Sequence, residues 1–179
     1  MTSFDDKVVQ GYYEPTADGI HFEFYGSNQI EDVILDFLAF KFFGKHIGFE
    51  IGYKRAMKIV EANIGAAKNI WLTGHSFGGA LAVLVGAELQ KRGLKVKIQT
   101  AGAPRVGGPL WCWLVGRHLD YERYQVIGDI VPKSPPWWMG WKHTGKLIWI
   151  DRSDIKVDLK NLLAKHVPNA YNGHVPFQL

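Results

Sequence analysis

The sequence has few of the features that mark a disulfide scaffold, a metal centre or a membrane protein. Cys112 is the one cysteine among 179 residues, so neither an intrachain disulfide nor a thiolate metal cluster can form. No segment approaches the ~18 uninterrupted apolar residues of a membrane-spanning helix. The first residues also lack the basic and apolar regions of a signal peptide. Together these absences predict a cytoplasmic protein.

The chain also lacks a concentrated patch of charge. Its net charge is +4, but the basic residues are scattered and only one segment, KRGLKVK at 91–97, is dense in them. A nucleic-acid-binding protein concentrates its basic residues on one face, so we expect no nucleic-acid partner. Neither repeats nor low-complexity tracts divide the sequence, and we expect residues 1–179 to form a single domain.

Segments typical of strands alternate along the chain with segments typical of helices. Short apolar or alternating segments predict strands at 19–26, 70–74, 94–104, 123–129 and 145–151. Helical periodicity and end signals predict helices at 29–43, 52–65, 79–93 and 158–165. This alternation predicts an α/β fold with a mostly parallel central sheet and helices on both faces. In such sheets the functional groups gather at the carboxyl ends of the strands.

One serine lies between glycines where a predicted strand meets a predicted helix, in NIWLTGHSFGGALAVLVGAEL at 69–89. Side chains would collide in a turn this tight, and glycines at Gly74 and Gly78 remove the collision. The turn would hold Ser76 at its tip as a nucleophile and point the Phe77 backbone N–H at a developing oxyanion. The simpler alternatives are an N-capping serine or a phosphate-binding loop, but the lysine of a Walker-type loop is missing.

A serine hydroxyl becomes an effective nucleophile when a base accepts its proton and an acid orients that base. In this arrangement the acid and then the histidine follow the serine along the chain. Asp129 is the preferred acid because it ends a predicted strand, although the spacing also allows other aspartates: Asp120, Asp151 and Asp154. The candidate bases are the three histidines after Asp129: His143, His166 and His174.

Several motifs occur in the order that one enzyme family shows. The elbow reads GHSFGGALA, and it is accompanied by FYGSNQIEDVILDF and HIGF upstream and by TAGAPRVGGP and GDIVPKSPPWWMGWKHTGKLIWI downstream. Over roughly residues 22–149 the chain therefore resembles the class 3 lipases, the fungal triacylglycerol lipase and feruloyl esterase group. The resemblance implies an α/β-hydrolase that cleaves lipid or small carboxylic esters through an acyl-enzyme, with no cofactor and no metal.

Matched position by position, the resemblance makes Ser76 the nucleophile and Asp129 the acid. Ser27 falls where the family completes the oxyanion hole together with Phe77, and residues 28–40 fall on the lid helix. Tyr25 stands in place of the usual arginine and Val33 in place of the usual tryptophan, so the lid anchoring differs from the family pattern. Secreted members of the family also carry a signal peptide and disulfides, which this sequence lacks.

The choice of histidine remains open between two residues, because His143 matches a structural histidine of the family. A helix over 158–165 would carry His166 away from the catalytic edge, whereas the eight residues to His174 can span up to ~26 Å back to it. The HVPF that begins at His174 is similar to the family's terminal H-x-x-Y/F. The H-x-x-x-x-Y of some bacterial members favours His166 instead. We predict His174 as the base and keep His166 as the alternative.

Two further points concern function. A thioesterase or acyltransferase would use the same residues, and a non-catalytic lipid- or ligand-binding module could retain the fold. A group of large apolar residues follows Asp129: Trp137, Trp138, Met139 and Trp141. If exposed, they could bind a membrane or lipid surface together with FLAFKFF at 37–43. If buried, they would cover the sheet edge or line the acyl pocket.

Overall fold

A seven-stranded sheet organises the computed structural model, which describes residues 1–25, 46–156 and 163–177. Its strands are β1 (Thr2–Asp5), β2 (Gln10–Pro15), β3 (Ile20–Phe24), β4 (Asn69–His75), β5 (Lys95–Ala101), β6 (Asp120–Val126) and β7 (Lys146–Ile150). They lie side by side in chain order. The β1–β2 and β2–β3 pairs are antiparallel, and all pairs from β3 to β7 are parallel. The predicted mostly parallel sheet is confirmed, and β1 and β2 are additions that the sequence pattern did not predict.

The helices that the structure describes are α1 (His46–Asn63), α2 (Ser76–Lys91), α3 (Pro109–Leu114) and α4 (Pro168–Tyr171). Short 3-10 helices cover Gly116–His118, Val131–Lys133 and Trp137–Met139. The helix predicted at 29–43 and most of that predicted at 158–165 lie outside the described residues. Within the described ranges, no helix is both long and apolar enough to cross a membrane.

One face of the sheet packs against α1 and α2 to form the main core. Phe22, Leu72 and Ile98 are register partners on β3, β4 and β5, and all three are fully buried. They share a cluster with Val60 of α1 and Leu81 of α2. Because burial of each such side chain contributes about 1.5–3 kcal/mol, this core fixes the register of the strands that carry the site.

The opposite face carries α4 near the carboxyl ends of β5, β6 and β7. Ala101, Val126 and Ile150 pack there against Ala170 and Tyr171 of α4. Helices therefore lie on both faces of the sheet, as the sequence predicts. This second, smaller core places the C-terminal residues beside the edge where β4 meets α2.

Candidate active site

Ser76 lies at the junction of β4 and α2, at the carboxyl edge of the sheet. Its backbone φ is 54°, a left-handed conformation that is uncommon for a residue other than glycine. Strain of this kind persists only where the surrounding structure imposes it, and it is typical of catalytic turns. The junction is the strand-turn-helix elbow that the sequence predicts around this serine.

Gly78 allows α2 to approach the end of β3 unusually closely. A Cβ added at Gly78 would lie 2.0 Å from the carbonyl oxygen of Phe24 and 2.7 Å from that of Tyr25. A Cβ at Gly74 would lie 2.6 Å from the carbonyl carbon of Gly78. Since all these neighbours are backbone atoms, no side-chain rotation could relieve the contacts. Glycine is therefore required at both positions, and the chain after β3 is held next to the start of α2.

Three buried side chains from separate segments form a continuous hydrogen-bonded series at this elbow. The Nε2 atom of His166 lies 2.8 Å from the Oγ of Ser76, and its Nδ1 lies 2.9 Å from the Oδ2 of Asp129. An ionised Asp129 accepts the Nδ1–H of His166, which leaves Nε2 free to accept the hydroxyl proton of Ser76. The arrangement can therefore move a proton from Ser76 to a charge-stabilised imidazole.

The structure corrects the predicted choice of histidine, because His166 and not His174 contacts Ser76. The side chain of His174 is exposed, and its backbone N–H donates to the carbonyl of Tyr171 at 3.0 Å. The prediction assumed that a helix over 158–165 carries His166 away from the edge. Residues 163–166 instead form turns, with the N–H of His166 bonded to the carbonyl of Leu163 at 2.7 Å.

The remaining candidates lie away from the elbow serine. His143 is bonded to the carbonyl of Pro132 at 2.6 Å. Burial, together with the positive charges of Arg123 and Arg105, lowers the pKa of His143 to about 3, so its Nε2–H donates to that carbonyl. This bond holds the loop locally, which is consistent with the structural rather than catalytic role that the family resemblance implies for His143.

The alternative aspartates also have other partners or positions. Asp120 is exposed at the amino end of β6, remote from the carboxyl edge. Asp151 accepts the backbone N–H of Ser153 at 3.0 Å, and Asp154 pairs with Arg152 at 2.8 Å. Of the four candidate aspartates, Asp129 is the one bonded to His166, the histidine that contacts Ser76.

Tyr171, which sequence reasoning missed, completes the surroundings of Asp129. Its hydroxyl donates to the Oδ2 of Asp129 and accepts the backbone N–H of Val126 at 3.2 Å. The other carboxylate oxygen, Oδ1, accepts the N–H of Val131 at 2.9 Å. Burial and the charge of Asp129 raise the pKa of Tyr171, so the phenol stays protonated. The H-x-x-x-x-Y spacing from His166 was the available signal for this tyrosine.

His75 supports His166 by stacking on the face of its ring. The two imidazole rings stack with centroids 4.7 Å apart, and the Nε2 of His75 lies 2.7 Å from the carbonyl oxygen of His166. Burial, and to a smaller degree the charge of His166, lowers the pKa of His75 to about 3. His75 is therefore neutral, and its Nε2–H donates to that carbonyl. Both the ring and the backbone of His166 are held by this residue.

The predicted oxyanion hole and lid are described only in part. Phe77 is the second residue of α2 and directly follows Ser76. Ser27, the lid segment at 28–40 and the apolar residues at 37–43 lie outside the described residues. In the part of the chain that the structure describes, no group of three or more His, Cys, Asp or Glu side chains could hold a metal ion.

The tryptophan-rich segment after Asp129 divides into an exposed and a half-buried part. Trp137, Trp138 and Met139 are exposed on their 3-10 helix. Trp141 is half-buried and lines a groove with Trp111. Of the two arrangements that the sequence leaves open for this segment, exposure is found for three of the four residues.

The fold and the elbow together define the chain as an α/β-hydrolase, with a serine at the strand-turn-helix junction and histidine and aspartate in contact. The sequence profile of the family described as "Lipase (class 3)" matches residues 21–139. The chain belongs to the class 3 lipase family. The predicted family and fold class are both confirmed.

Named lipases are among the relatives in sequence. A secreted mono- and diacylglycerol lipase 1 of Fusarium solani is 33% identical over 122 residues, which cover 64% of this chain and 37% of the relative. A lipase of Rhizopus niveus is 30% identical over 179 residues, covering 88% of this chain and 45% of the relative. The chain thus spans less than half the length of these curated relatives.

Solved lipase structures share the fold. Lipase II from Rhizopus niveus superposes with a TM-score of 0.68 at 27% identity, covering 99% of this chain and 76% of that structure. A lipase from Rhizopus microsporus var. chinensis gives a TM-score of 0.66 at 27% identity, covering 84% of this chain and 60% of that structure.

The expected cytoplasmic location is contradicted by the names of the relatives. Mono- and diacylglycerol lipases of Fusarium solani, Malassezia restricta and Malassezia globosa are all named as secreted proteins. The names of these relatives point to an extracellular rather than a cytoplasmic location.

Proposed function

We propose that this protein hydrolyses carboxylic esters of lipids through a covalent acyl-enzyme. The observation that carries the proposal is the hydrogen-bonded series in which His166 lies 2.8 Å from Ser76 and 2.9 Å from Asp129. Such a series combines a nucleophile, a base and a group that orients the base. The lipases among its relatives make an ester the natural substrate class.

In the first half of the proposed reaction, the Oγ of Ser76 attacks the ester carbonyl carbon while His166 takes the hydroxyl proton. Asp129 keeps the imidazole in the productive tautomer and stabilises its cation. When the carbon–oxygen bond to the alcohol breaks, the His166 imidazolium gives its proton to the leaving alcohol. In the second half, His166 takes a proton from water while the water oxygen attacks the acyl carbon. The His166 imidazolium then gives that proton to the Oγ of Ser76 as the bond between the acyl carbon and Oγ breaks, which releases the carboxylic acid and restores the serine.

Negative charge develops on the carbonyl oxygen in both halves. We assign the backbone N–H of Phe77 as one donor to this oxyanion, because Phe77 directly follows Ser76 in the strand-turn-helix elbow, and the residue after the nucleophile supplies that N–H in such an elbow. Ser27 is proposed as the second donor on the basis of the sequence motif. The close approach of β3 to Gly78 supports this assignment, since it holds the chain after Phe24 beside the elbow.

The proposed site of action is outside the cell, at the surface of aggregated lipid. The relatives named as secreted support the extracellular location. Association with a lipid surface is supported by the exposed Trp137, Trp138 and Met139, which follow the active-site aspartate along the chain. No cofactor takes part in the proposed reaction.

A fluorophosphonate label tests the proposal, because it reacts with an activated serine. We expect labelling of the wild type and its loss in Ser76→Ala, while Ser153→Ala, at an exposed serine, labels normally. Hydrolysis of soluble p-nitrophenyl butyrate should follow the same pattern. A folded wild type that neither labels nor hydrolyses would overturn the proposal and favour a non-catalytic binding module.

A further inference from the structure

Arg152 lies two residues beyond the end of β7 and links this strand to α4, the short helix that carries Tyr171. Its Nη1 donates to two backbone carbonyls of α4, that of Ala170 at 2.9 Å and that of Asn169 at 3.1 Å. The side chain of Arg152 is 19% exposed, so most of it lies against the protein. Arg152 therefore makes a polar contact between the sheet and the C-terminal segment that includes His166.

The guanidinium of Arg152 is oriented by a second partner, the carboxylate of Asp154. Nε of Arg152 lies 2.9 Å from Oδ1 of Asp154, and Nη2 lies 2.8 Å from Oδ2. Two parallel bonds of this kind fix the plane of a guanidinium as well as its position. The side chain of Asp154 is 63% exposed, and a pair with so exposed a partner contributes little stability. Its effect is geometric, because it directs the Nη1 of Arg152 at α4.

The helix that receives these bonds needs support from the rest of the fold. α4 has four residues, and so short a helix is not stable alone. Its last carbonyl groups also lack partners within the helix, and Arg152 supplies a donor to those of Asn169 and Ala170. Apolar packing of Ala170 and Tyr171 against Ile150 holds α4 to the sheet, but such packing is non-directional. The bonds from Arg152 are directional, and they therefore fix the orientation of α4.

The last residue of α4 connects this helix to the proposed catalytic aspartate. Tyr171 directly follows Ala170, and its hydroxyl donates to the Oδ2 of Asp129. The same oxygen lies 2.9 Å from the Nδ1 of His166. The backbone N–H of Val126 donates to the Tyr171 hydroxyl at 3.2 Å. A change in the orientation of α4 would therefore move the phenol away from the carboxylate oxygen that orients His166.

We propose that Arg152 is a positioning residue for ester hydrolysis: its guanidinium fixes α4 so that Tyr171 holds Asp129 in the orientation that His166 requires. This inference rests on the proposed function, because a positioning residue acts on a reaction. The side chain of Arg152 bonds α4 and Asp154 rather than Ser76 or His166, so it should change kcat through Tyr171 and leave KM unchanged.

The test is a double-mutant cycle of Arg152→Met and Tyr171→Phe, with kcat and KM measured on p-nitrophenyl butyrate. Methionine keeps much of the apolar part of the arginine side chain and removes every donor. We expect Arg152→Met to lower kcat about fivefold with KM unchanged, which corresponds to the loss of one typical hydrogen bond. In the Tyr171→Phe protein the same change should lower kcat by less than about twofold, because the hydroxyl through which Arg152 acts is already absent.

Hydrogen exchange gives a second readout that needs no catalysis. The backbone N–H of Val126 is buried and bonded to the Tyr171 hydroxyl, so its exchange rate reports how often this bond opens. In a Ser76→Ala background, Arg152→Met should raise the exchange rate of the Val126 amide about fivefold. The amide of Leu72 on the central strand β4 should exchange at an unchanged rate.

Arg92→Met is the matched control, because Arg92 also pairs with carboxylates but lies at the C-terminal end of α2. Its Nη1 lies 2.6 Å from Glu61, and its Nε lies 2.9 Å from Glu88. The control should change neither kcat nor the exchange of the Val126 amide. Arg152→Lys keeps the charge but not the planar fork, so its kcat should lie between those of the wild type and Arg152→Met. This milder variant also serves as the test if circular dichroism shows that Arg152→Met does not fold.

Three results would overturn the inference: wild-type kcat in a folded Arg152→Met, an equal loss of kcat with and without the Tyr171 hydroxyl, or an unchanged exchange rate of the Val126 amide. Each would mean that apolar packing alone orients α4. The exchange experiment uses a protein without the nucleophile and therefore stands apart from catalysis. Faster exchange in Arg152→Met together with absent hydrolysis by the wild type would overturn the proposed function and leave the contact between Arg152 and α4 as the support of Tyr171.

Discussion

The imidazole of His75 stacks on that of His166 and also donates a hydrogen bond to the carbonyl of the same residue, 2.7 Å away. Two contacts from one side chain therefore fix the orientation of the proposed base. Because burial keeps the pKa of His75 near 3, this support remains neutral throughout the range in which a histidine base works.

The first prediction concerns this support. His75→Phe keeps a ring against His166 but removes the donor, leaving a buried carbonyl without its partner, which costs about 1–3 kcal/mol. We expect kcat on p-nitrophenyl butyrate to fall about tenfold to a hundredfold with KM little changed. His118→Phe, at an exposed histidine, is the control. A raised KM with unchanged kcat would assign His75 to substrate binding instead.

The second prediction concerns Tyr171, which bonds both Asp129 and the N–H of Val126. Tyr171→Phe should lower the free energy of unfolding by about 1–3 kcal/mol, because two buried groups lose a partner. It should also lower kcat about tenfold, since Asp129 is held less firmly. Urea unfolding and ester kinetics measure the two effects. Tyr13→Phe, a half-buried tyrosine on β2, is the control, and equal effects in both variants would contradict the assignment.

A buried carboxyl outside the proposed active site gives a pH-dependent prediction. Glu23 on β3 is buried on the sheet face opposite the main core and accepts the hydroxyl of Thr73 at 2.8 Å and that of Tyr12 at 3.4 Å. Burial raises the pKa of Glu23 to about 7 from its ordinary value of 4.5. Between these two pH values the Glu23 carboxyl keeps its proton in the folded protein and has lost it in the unfolded chain. The stabilisation from this proton is complete below pH ~4.5 and is lost as the pH rises through 7.

Glu23→Gln should remove this dependence, because an amide cannot ionise and still accepts both hydroxyls. We expect the variant to be more stable than the wild type by about 3 kcal/mol at pH 9 and similar to it at pH 4.5. Urea unfolding at the two pH values measures the difference. Glu50→Gln, at an exposed site, should show no such change. A loss of stability that is the same at both pH values would contradict the account.

The elbow and Asp129 could be predicted from sequence because their geometry is local. A strand, two glycines and a helix start constrain Ser76 within a few residues, and Asp129 follows β6 by three residues. The histidine could not be chosen in the same way. Its position depends on the path of the chain after β7, where the described residues include no long helix or strand that would fix the direction.

The elements that the sequence did not predict are short or lie at the edge. β1 and β2 are paired by an antiparallel ladder whose outer strand is mostly exposed, so no apolar pattern marks it. α3 has six residues, fewer than two turns, and both its faces are apolar. A helical period cannot be recognised in so short a segment.

The most direct test of the central claim compares His166→Ala with His174→Ala in kcat/KM on p-nitrophenyl butyrate, with circular dichroism to verify folding. A triad acts as a unit, so His166→Ala should lose about 10³-fold to 10⁴-fold or more. His174→Ala should stay within about twofold of the wild type, because an exposed side chain away from Ser76 has no part in proton transfer. An active His166→Ala together with a folded but inactive His174→Ala would contradict the assignment of His166 as the base.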